Sequence, residues 1–180
     1  MSVSELIKKR VTITKFNNLP VDSKLIISLL DDAVYAPNHK MREPWRFIIL
    51  ESDNKQELID RYISKIRNDQ KSEMIDLMTK VFSAPMVLAV ITPIQKDIRD
   101  EIEDMQAAAA MIENFLLLAT EKGLSTAWKT PKYIESDLFK DVLGIKIDEI
   151  VLALIMIGYS DVEGKPKTRK RAIDLTTFYE

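Results

Sequence analysis

Two kinds of apolar pattern alternate along this chain of 180 residues. Uninterrupted apolar runs are typical of buried strands, whereas apolar positions three or four apart are typical of one helix face. The runs predict strands at 47–50, 86–92 and 150–157, and a further strand from Ser125 that stops at Pro131. Because helices and strands are interleaved with connections of varied length, the pattern predicts a single α+β or α/β domain.

The helical pattern is strongest between about Arg99 and Lys122, where apolar residues cover most of the circumference. Such a helix has to be covered on several sides, in a core or in a subunit interface. Gly123 is expected to supply its C-cap. Capping and spacing predict further helices after Ser2, after Asp22 as far as Pro37, within 54–81 as an exposed pair, and over 136–143.

Composition excludes several kinds of chemistry. The chain has no cysteine, which excludes disulfides, cysteine–zinc sites, iron–sulfur clusters and thiol nucleophiles. A single histidine, His39, excludes sites built from several histidines. The four glycines are too far apart to form a glycine-rich phosphate loop, so any nucleotide has to be held without one.

Charge and hydropathy limit the partners. The net charge is −2, so we expect neither a nucleic acid nor an anionic membrane surface as a partner. The apolar run 151–157 is far shorter than the ~20 residues of a membrane span. No targeting signal is recognisable at the N-terminus, and the sequence therefore predicts a cytoplasmic protein.

Arg10 and Thr12 are candidates for phosphate binding. Two residues apart on an extended segment, they point the same way, so a guanidinium and a hydroxyl together can hold a phosphate. The alternative is a solvated basic strand edge. The basic run 165–171 has comparable alternatives: a solvated tail, a second source of phosphate-binding cations, or an interaction segment.

Two loops concentrate possible binding groups. The loop 36–47 places Asn38, His39 and several charged side chains beside Trp45, a composition that favours binding over a plain connection. In the segment 125–131, Trp128 could stack on a planar heterocycle. In both cases the alternative is an ordinary connection whose tryptophan fills the core.

These segments, in this order, resemble the FMN-dependent nitroreductase family. Residues 10–16 match its Arg-Arg-Ser-x-Arg-x-Phe pattern, and 36–47 match its Ala-Pro…Pro-Trp-x-Phe loop. The alanine-rich helix ending at Gly123, the Trp128 segment and 154–158 continue the match over nearly the whole chain. The loop from Ala36 is most similar to that of the small members of about 180 residues, the YdjA type.

The resemblance implies an α+β fold with a mostly antiparallel central sheet flanked by helices. It also implies one domain over 1–180 and an interlocked homodimer, with the tail from about 159 to 180 extended over the partner subunit. The implied activity is transfer of hydride from NAD(P)H through FMN to a nitroaromatic, a quinone or a similar small acceptor, by a ping-pong mechanism. We assign neither a catalytic side chain nor a metal ligand.

By the same resemblance, FMN is bound by residues of the segment 10–12, of the loop after the second helix, of the segment 128–130 and of the tail. Residues 118–123 lie where NAD(P)H is contacted, and His39 belongs to a loop that often reaches FMN from the partner subunit. The implied cofactor-binding residues are Arg10, Val11, Thr12, Tyr35, His39, Trp128, Lys129, Thr130 and Arg169.

The chain departs from the family pattern at two positions. Val11 replaces the second arginine, and Thr14 replaces a cation that often faces the N1–O2 edge of the flavin. Loss of that cation removes one stabiliser of reduced flavin. The departure motivates an alternative function, an FMN-binding storage or redox-sensing protein with little turnover.

Overall fold

The computed structural model describes residues 1–165 and 167–179. In that part of the chain, the helices are α1 (Val3–Lys9), α2 (Ser23–Ala33), α3 (Asp53–Lys65), α4 (Asn68–Phe82), α5 (Ile98–Glu121) and α6 (Asp137–Leu143). The strands are β1 (Arg46–Glu51), β2 (Met86–Pro93), β3 (Ser125–Lys129) and β4 (Glu149–Gly158). Short 3₁₀ helices lie at His39–Met41, Lys132–Glu135 and Ala172–Leu175.

The strands form one antiparallel sheet in the order β1-β2-β4-β3. Ala89 of β2 lies opposite Leu154 of β4, and a bulge follows Val90. The predicted α+β class with a mostly antiparallel sheet is confirmed. Thr12 adds to the β3 edge by a parallel bridge to Thr126, whose carbonyl accepts the N–H of Ile13 at 3.0 Å.

Helices cover both faces of the sheet. Alternate residues of β2 point to opposite faces: Ala89 packs with α3, α4 and α6, whereas Leu88 packs with α2 and α5. Because neither face meets water, β2 and β4 are apolar at almost every position. The continuous apolar runs in the sequence thus have a direct physical cause.

The helix pair within 54–81 is less exposed than its polar composition predicts. α3 buries Leu58, Ile59 and Tyr62, while the end of α4 buries Met78 and Phe82 against the same face of the sheet. The apolar positions are few but fall on one side of each helix. The prediction of an exposed pair was therefore wrong for that side.

The helix after Asp22 ends earlier than predicted. α2 stops at Ala33, and the N–H groups of Tyr35 and Ala36 then bond to carbonyls three residues back, at 3.3 and 3.2 Å. Proline disfavours helical backbone in the residue before it, so the chain leaves the helix ahead of Pro37. The loop that carries His39 starts at this point.

α5 packs on the sheet through one side only. Met111, Ile112 and Phe115 are buried, whereas Ile98 and Ile102 are 68% and 48% exposed. Within this chain, the sheet, α1, α2 and the turn His39–Met41 cover this helix, whereas the side with Ile98 and Ile102 stays exposed. Among the described residues, none of the helices combines the length and apolar content needed to cross a bilayer.

Phe139 provides a test of the packing on the α6 side of the sheet. Its ring is fully buried, with its centroid 5.2 Å from that of Tyr133 and 6.3 Å from that of Tyr62. Phe139→Ala should lower the free energy of unfolding by about 3–5 kcal/mol, measured by urea denaturation. Ile147→Ala, at a position 99% exposed, is the control and should change it by less than about 0.5 kcal/mol. Similar losses in the two variants would contradict this packing.

Candidate functional site

The segment after α1 is fixed between a helix end and a strand. The capping box of Ser2 and Glu5 starts α1, and the N–H of Arg10 closes its last turn on the carbonyl of Leu6 at 2.9 Å. The chain then extends beside β3, so Arg10 and Thr12 are presented from a defined backbone. Further along, the N–H of Asn17 bonds to the carbonyl of Tyr159 at 2.9 Å, which ties the segment to the end of β4.

A cleft of about 530 Å³ opens beside this segment. Five lysine and arginine side chains among the described residues line it, against one carboxylate, so its charge favours a phosphate or another anion. The lining residues are Ile7, Lys8, Arg10, Val11, Thr12, Glu113, Lys165, Lys167 and Arg169. The structure thus brings four of the predicted residues, Arg10, Val11, Thr12 and Arg169, into one cavity.

Arg10 is oriented rather than freely solvated. Its Nε lies 3.4 Å from Oε1 of Glu113 on α5, and its side chain is only 22% exposed. An ion pair therefore holds the guanidinium at the cleft wall. Sequence reasoning missed Glu113, since nothing in the local pattern connects it with a residue about a hundred positions earlier.

The C-terminal tail reaches the cleft through a close contact at Gly164. A Cβ on Gly164 would overlap the side chain of Val11, with the Cβ of Val11 itself only 3.1 Å away. Only a glycine therefore allows the tail to pass this close. The contact brings Lys165, Lys167 and Arg169 to the cleft wall, and it gives Val11 a packing role that the sequence did not reveal.

The residues predicted on the third segment divide between two places. Trp128 and Lys129 lie on β3, the strand that Thr12 joins, and Trp128 is 36% exposed. Thr130 instead lines a separate cavity of about 300 Å³ with Ile134 and Lys140. Within one chain, Thr130 therefore lies apart from the cationic cleft.

The loop after α2 forms another cavity. Tyr35 is 87% exposed, and His39 lines a space of about 430 Å³ with Asn38, Glu103 and Gln106. The Nδ1 of His39 lies 3.9 Å from Oε2 of Glu103. Tyr35 and His39 are thus not brought to the cationic cleft of the same chain.

Arg42 attaches this loop to α5 through ion pairs with carboxylates of the helix. A hydrogen bond with Asp104 raises the pKa of Arg42 above its ordinary value, although burial opposes the shift. For Glu103, desolvation opposes ionisation, but the hydrogen bond from Arg42 and neighbouring positive charge outweigh it and lower its pKa. The loop is therefore attached to α5 by groups that stay charged near neutral pH.

α5 carries walls of both cavities. Glu113 faces the cationic cleft and Glu103 faces His39, and the two residues are about 15 Å apart along the helix axis. One chain therefore presents two separate cavities that share the same helix as a wall. Among residues 1–165 and 167–179, there is no group of three His, Cys, Asp or Glu side chains that could hold a metal ion.

Comparison with known proteins agrees with this architecture. The nitroreductase family model matches residues 7–159. YfhC of Bacillus subtilis (strain 168), which bears the provisional name NAD(P)H nitroreductase, is 33% identical over 93% of this chain and 88% of its own length.

Two solved structures have the same fold. A nitroreductase-like family protein from Bacillus cereus superposes with a TM-score of 0.92 at 28% identity, covering 100% of this chain and 97% of its own. NfnB from sphigopyxis sp. strain HMH, described as an FMN and NADPH-dependent nitroreductase, has a TM-score of 0.80 at 17% identity and complete coverage of both chains. The extent of the family match and the identity to YfhC lead to one conclusion: the chain belongs to the nitroreductase family.

Proposed function

We propose that this protein is an FMN-dependent oxidoreductase that passes hydride from NAD(P)H to a nitroaromatic, a quinone or a similar small acceptor in a ping-pong mechanism. The observation that carries the proposal is the cationic cleft, in which Arg10 and Thr12 meet the basic tail. Membership of the nitroreductase family and the cofactors named for NfnB support it.

The cleft fits the phosphate of FMN. A phosphate dianion is bound best by a guanidinium fork together with hydroxyl and ammonium donors, and Arg10, Thr12 and Arg169 supply the first two kinds. Lys165 and Lys167 add positive charge, which the single carboxylate of Glu113 offsets only in part. The donors come from the backbone-paired segment and the tail, so no glycine-rich loop is needed.

The remaining predicted residues suit the ring of the cofactor. Bound FMN would supply the hydride-accepting and hydride-donating chemistry of both half-reactions. Trp128 and Lys129 lie on the strand beside Thr12, so they are suited to border the ring. In this proposal, Tyr35 and His39 complete the site from the partner subunit, since their own cavity is separate from the cleft.

We further propose that the chain acts as one domain in an interlocked homodimer. Apolar side chains of the tail, among them Leu175 and Phe178, are 68% and 74% exposed, and exposed apolar groups of this size favour burial against a partner. Ile98 and Ile102 on α5 form a second exposed apolar surface. Of the predicted tail, about 159 to 180, the part after Arg169 would extend over the partner subunit, since Gly164 and the basic residues that follow it lie against Val11 and the cleft of their own chain. Pro166 and Glu180 lie outside the described residues.

Flavin binding and reduction test the function directly. The purified protein should bind FMN in a fluorescence titration, and NADH or NADPH should bleach the bound flavin anaerobically, faster than they reduce free FMN. An enzyme of this kind positions the nicotinamide against the flavin, which raises the rate of hydride transfer. A protein that binds FMN but leaves its reduction rate unchanged would support the storage or sensing alternative, and absence of FMN binding would refute both functions.

Arg10→Ala tests the phosphate contact. Loss of a charge-assisted hydrogen bond should weaken FMN binding by about 1.5–3 kcal/mol, measured by isothermal titration. Riboflavin lacks the phosphate, so its affinity should change far less. Arg67→Ala is the matched control, because that arginine is 77% exposed and pairs with Asp69 outside the cleft. Equal losses for FMN and riboflavin would show that Arg10 does not contact the phosphate.

Gly164→Ala tests the contribution of the tail. The added methyl group would overlap Val11 and push the basic segment away from the cleft. We expect about a tenfold weaker FMN affinity, the equivalent of one charge-assisted contact. The double variant Val11→Ala/Gly164→Ala makes room for the methyl group and should recover most of the affinity. An unchanged FMN affinity in the single variant would show that the tail does not contribute to FMN binding.

A further inference from the structure

Arg42 joins the loop after α2 to three carboxylates of α5. Its Nε donates to Oδ1 of Asp104 at 2.7 Å, and its Nη1 donates to Oδ1 of Asp100 at 3.2 Å. Its Nη2 donates to Oε2 of Glu103 at 3.2 Å and to the backbone carbonyl of Asp100 at 3.3 Å. The guanidinium therefore uses all three of its nitrogens on one helix, a geometry that a lysine cannot reproduce.

Asp104 is the buried end of this attachment. It is 1% exposed, and its second oxygen accepts a hydrogen bond from Nε2 of Gln95 at 2.7 Å. A buried carboxylate is tolerated where it is paired and hydrogen-bonded, and Arg42 is its cationic partner here. Because α5 fixes the carboxylate of Asp104, its ion pair with Arg42 also fixes the position of the loop.

The backbone on either side of Arg42 is strained, and the attachment to α5 keeps it in that conformation. Lys40, Met41 and Glu43 have φ angles of 54°, 52° and 47°, in the left-handed region that residues other than glycine seldom adopt. Such conformations persist only where surrounding contacts determine them. Asn38 supplies one contact, since its Oδ1 accepts the N–H of Glu43 at 3.0 Å. The carbonyl of Glu43 accepts the N–H of Trp45 at 2.7 Å, and the side chain of Arg42 ties the turn to α5.

The same contacts place His39 at its cavity. The carbonyl of His39 accepts the N–H of Arg42 at 3.2 Å, and the His39 ring faces Glu103, the carboxylate that Arg42 also engages. The polar side-chain contact of the His39 ring in the described part of the chain is its 3.9 Å approach to Glu103, the carboxylate that Arg42 holds. Its position is therefore set through Arg42 and the strained turn.

We propose that Arg42 is a positioning residue, which holds the strained turn 40–43 and thereby sets where His39 and Lys40 lie relative to a flavin bound at the subunit interface. The inference rests on the proposed function, in which this loop completes the site of the partner subunit. Arg42 is separate from the residues that line the cationic cleft. Its loss should therefore alter the surroundings and reactivity of the flavin ring and leave the phosphate contact intact.

The test compares Arg42→Met with Arg99→Met in the FMN-loaded protein. Arg99 is a matched control because, like Arg42, it pairs with Glu103, here through its Nε at 3.4 Å. Unlike Arg42, it belongs to α5 itself, and its side chain is 85% exposed. At a temperature where both variants are folded, three quantities are measured: the visible circular dichroism of bound FMN, its reduction rate at saturating NADPH, and the dissociation constant of FMN.

Arg42→Met should change the flavin circular dichroism and slow reduction by at least about tenfold, since small displacements in an active site have effects of this size. The dissociation constant of FMN should rise less than in Arg10→Ala, because the phosphate contact is remote from Arg42. Arg99→Met should leave all three quantities unchanged. If Arg42→Met does not fold, Arg42→Lys replaces it; lysine keeps one ion pair, and the same spectral and kinetic changes are expected.

The possible results separate the two proposals. A lower melting temperature with unchanged circular dichroism and reduction rate would show that Arg42 is merely structural and would overturn its positioning role, while the proposed function would stand. Failure of the unmodified protein to bind FMN would overturn both. Equal effects in Arg42→Met and Arg99→Met would show that the charge of Glu103 matters rather than the loop, and would also overturn the positioning role.

Discussion

Burial of both faces of the central β2–β4 pair is the constraint on which the rest of the structure depends. Ala89 and Leu154, opposite one another, are fully buried, and helices lie on either side of them. A sheet covered on both faces cannot shift its register without moving apolar side chains between two separate cores. The edges of the sheet are consequently held in place, and β3 offers a fixed edge for the segment that contains Thr12.

α5 is held in place by the sheet and positions side chains on both cavities. Its buried side anchors it to the sheet and to α2, and its polar side chains are directed at two separate cavities. Glu113 orients Arg10, whereas Asp104 anchors Arg42. Acidic groups on one helix thus arrange basic groups from two distant loops, and a helix firmly held by packing is suited to that task.

The cationic cleft shows how a chain with few glycines can offer a phosphate site. Positive charge comes from the end of α1 and from the tail, which are at opposite ends of the sequence. One glycine is nevertheless essential to the arrangement, because only Gly164 lets the tail cross Val11 so closely. Val11 therefore contributes shape at a position where the family pattern has charge.

Local sequence patterns were sufficient for most of the helices and strands and for the hypothesis that Arg10 and Thr12 bind a phosphate, because periodicity, caps and residue type are properties of neighbouring positions. Arg169 became a candidate only through the family resemblance. They misjudged the end of α2 and the burial of α3, where turn hydrogen bonds and sheet contacts decide the outcome. Only the tertiary structure decided that Arg10 pairs with Glu113, that Gly164 packs on Val11, and that His39 faces a different cavity from Arg10. These are contacts between segments far apart in the chain, and no local pattern specifies them, since they depend on how the covered sheet brings its connections together.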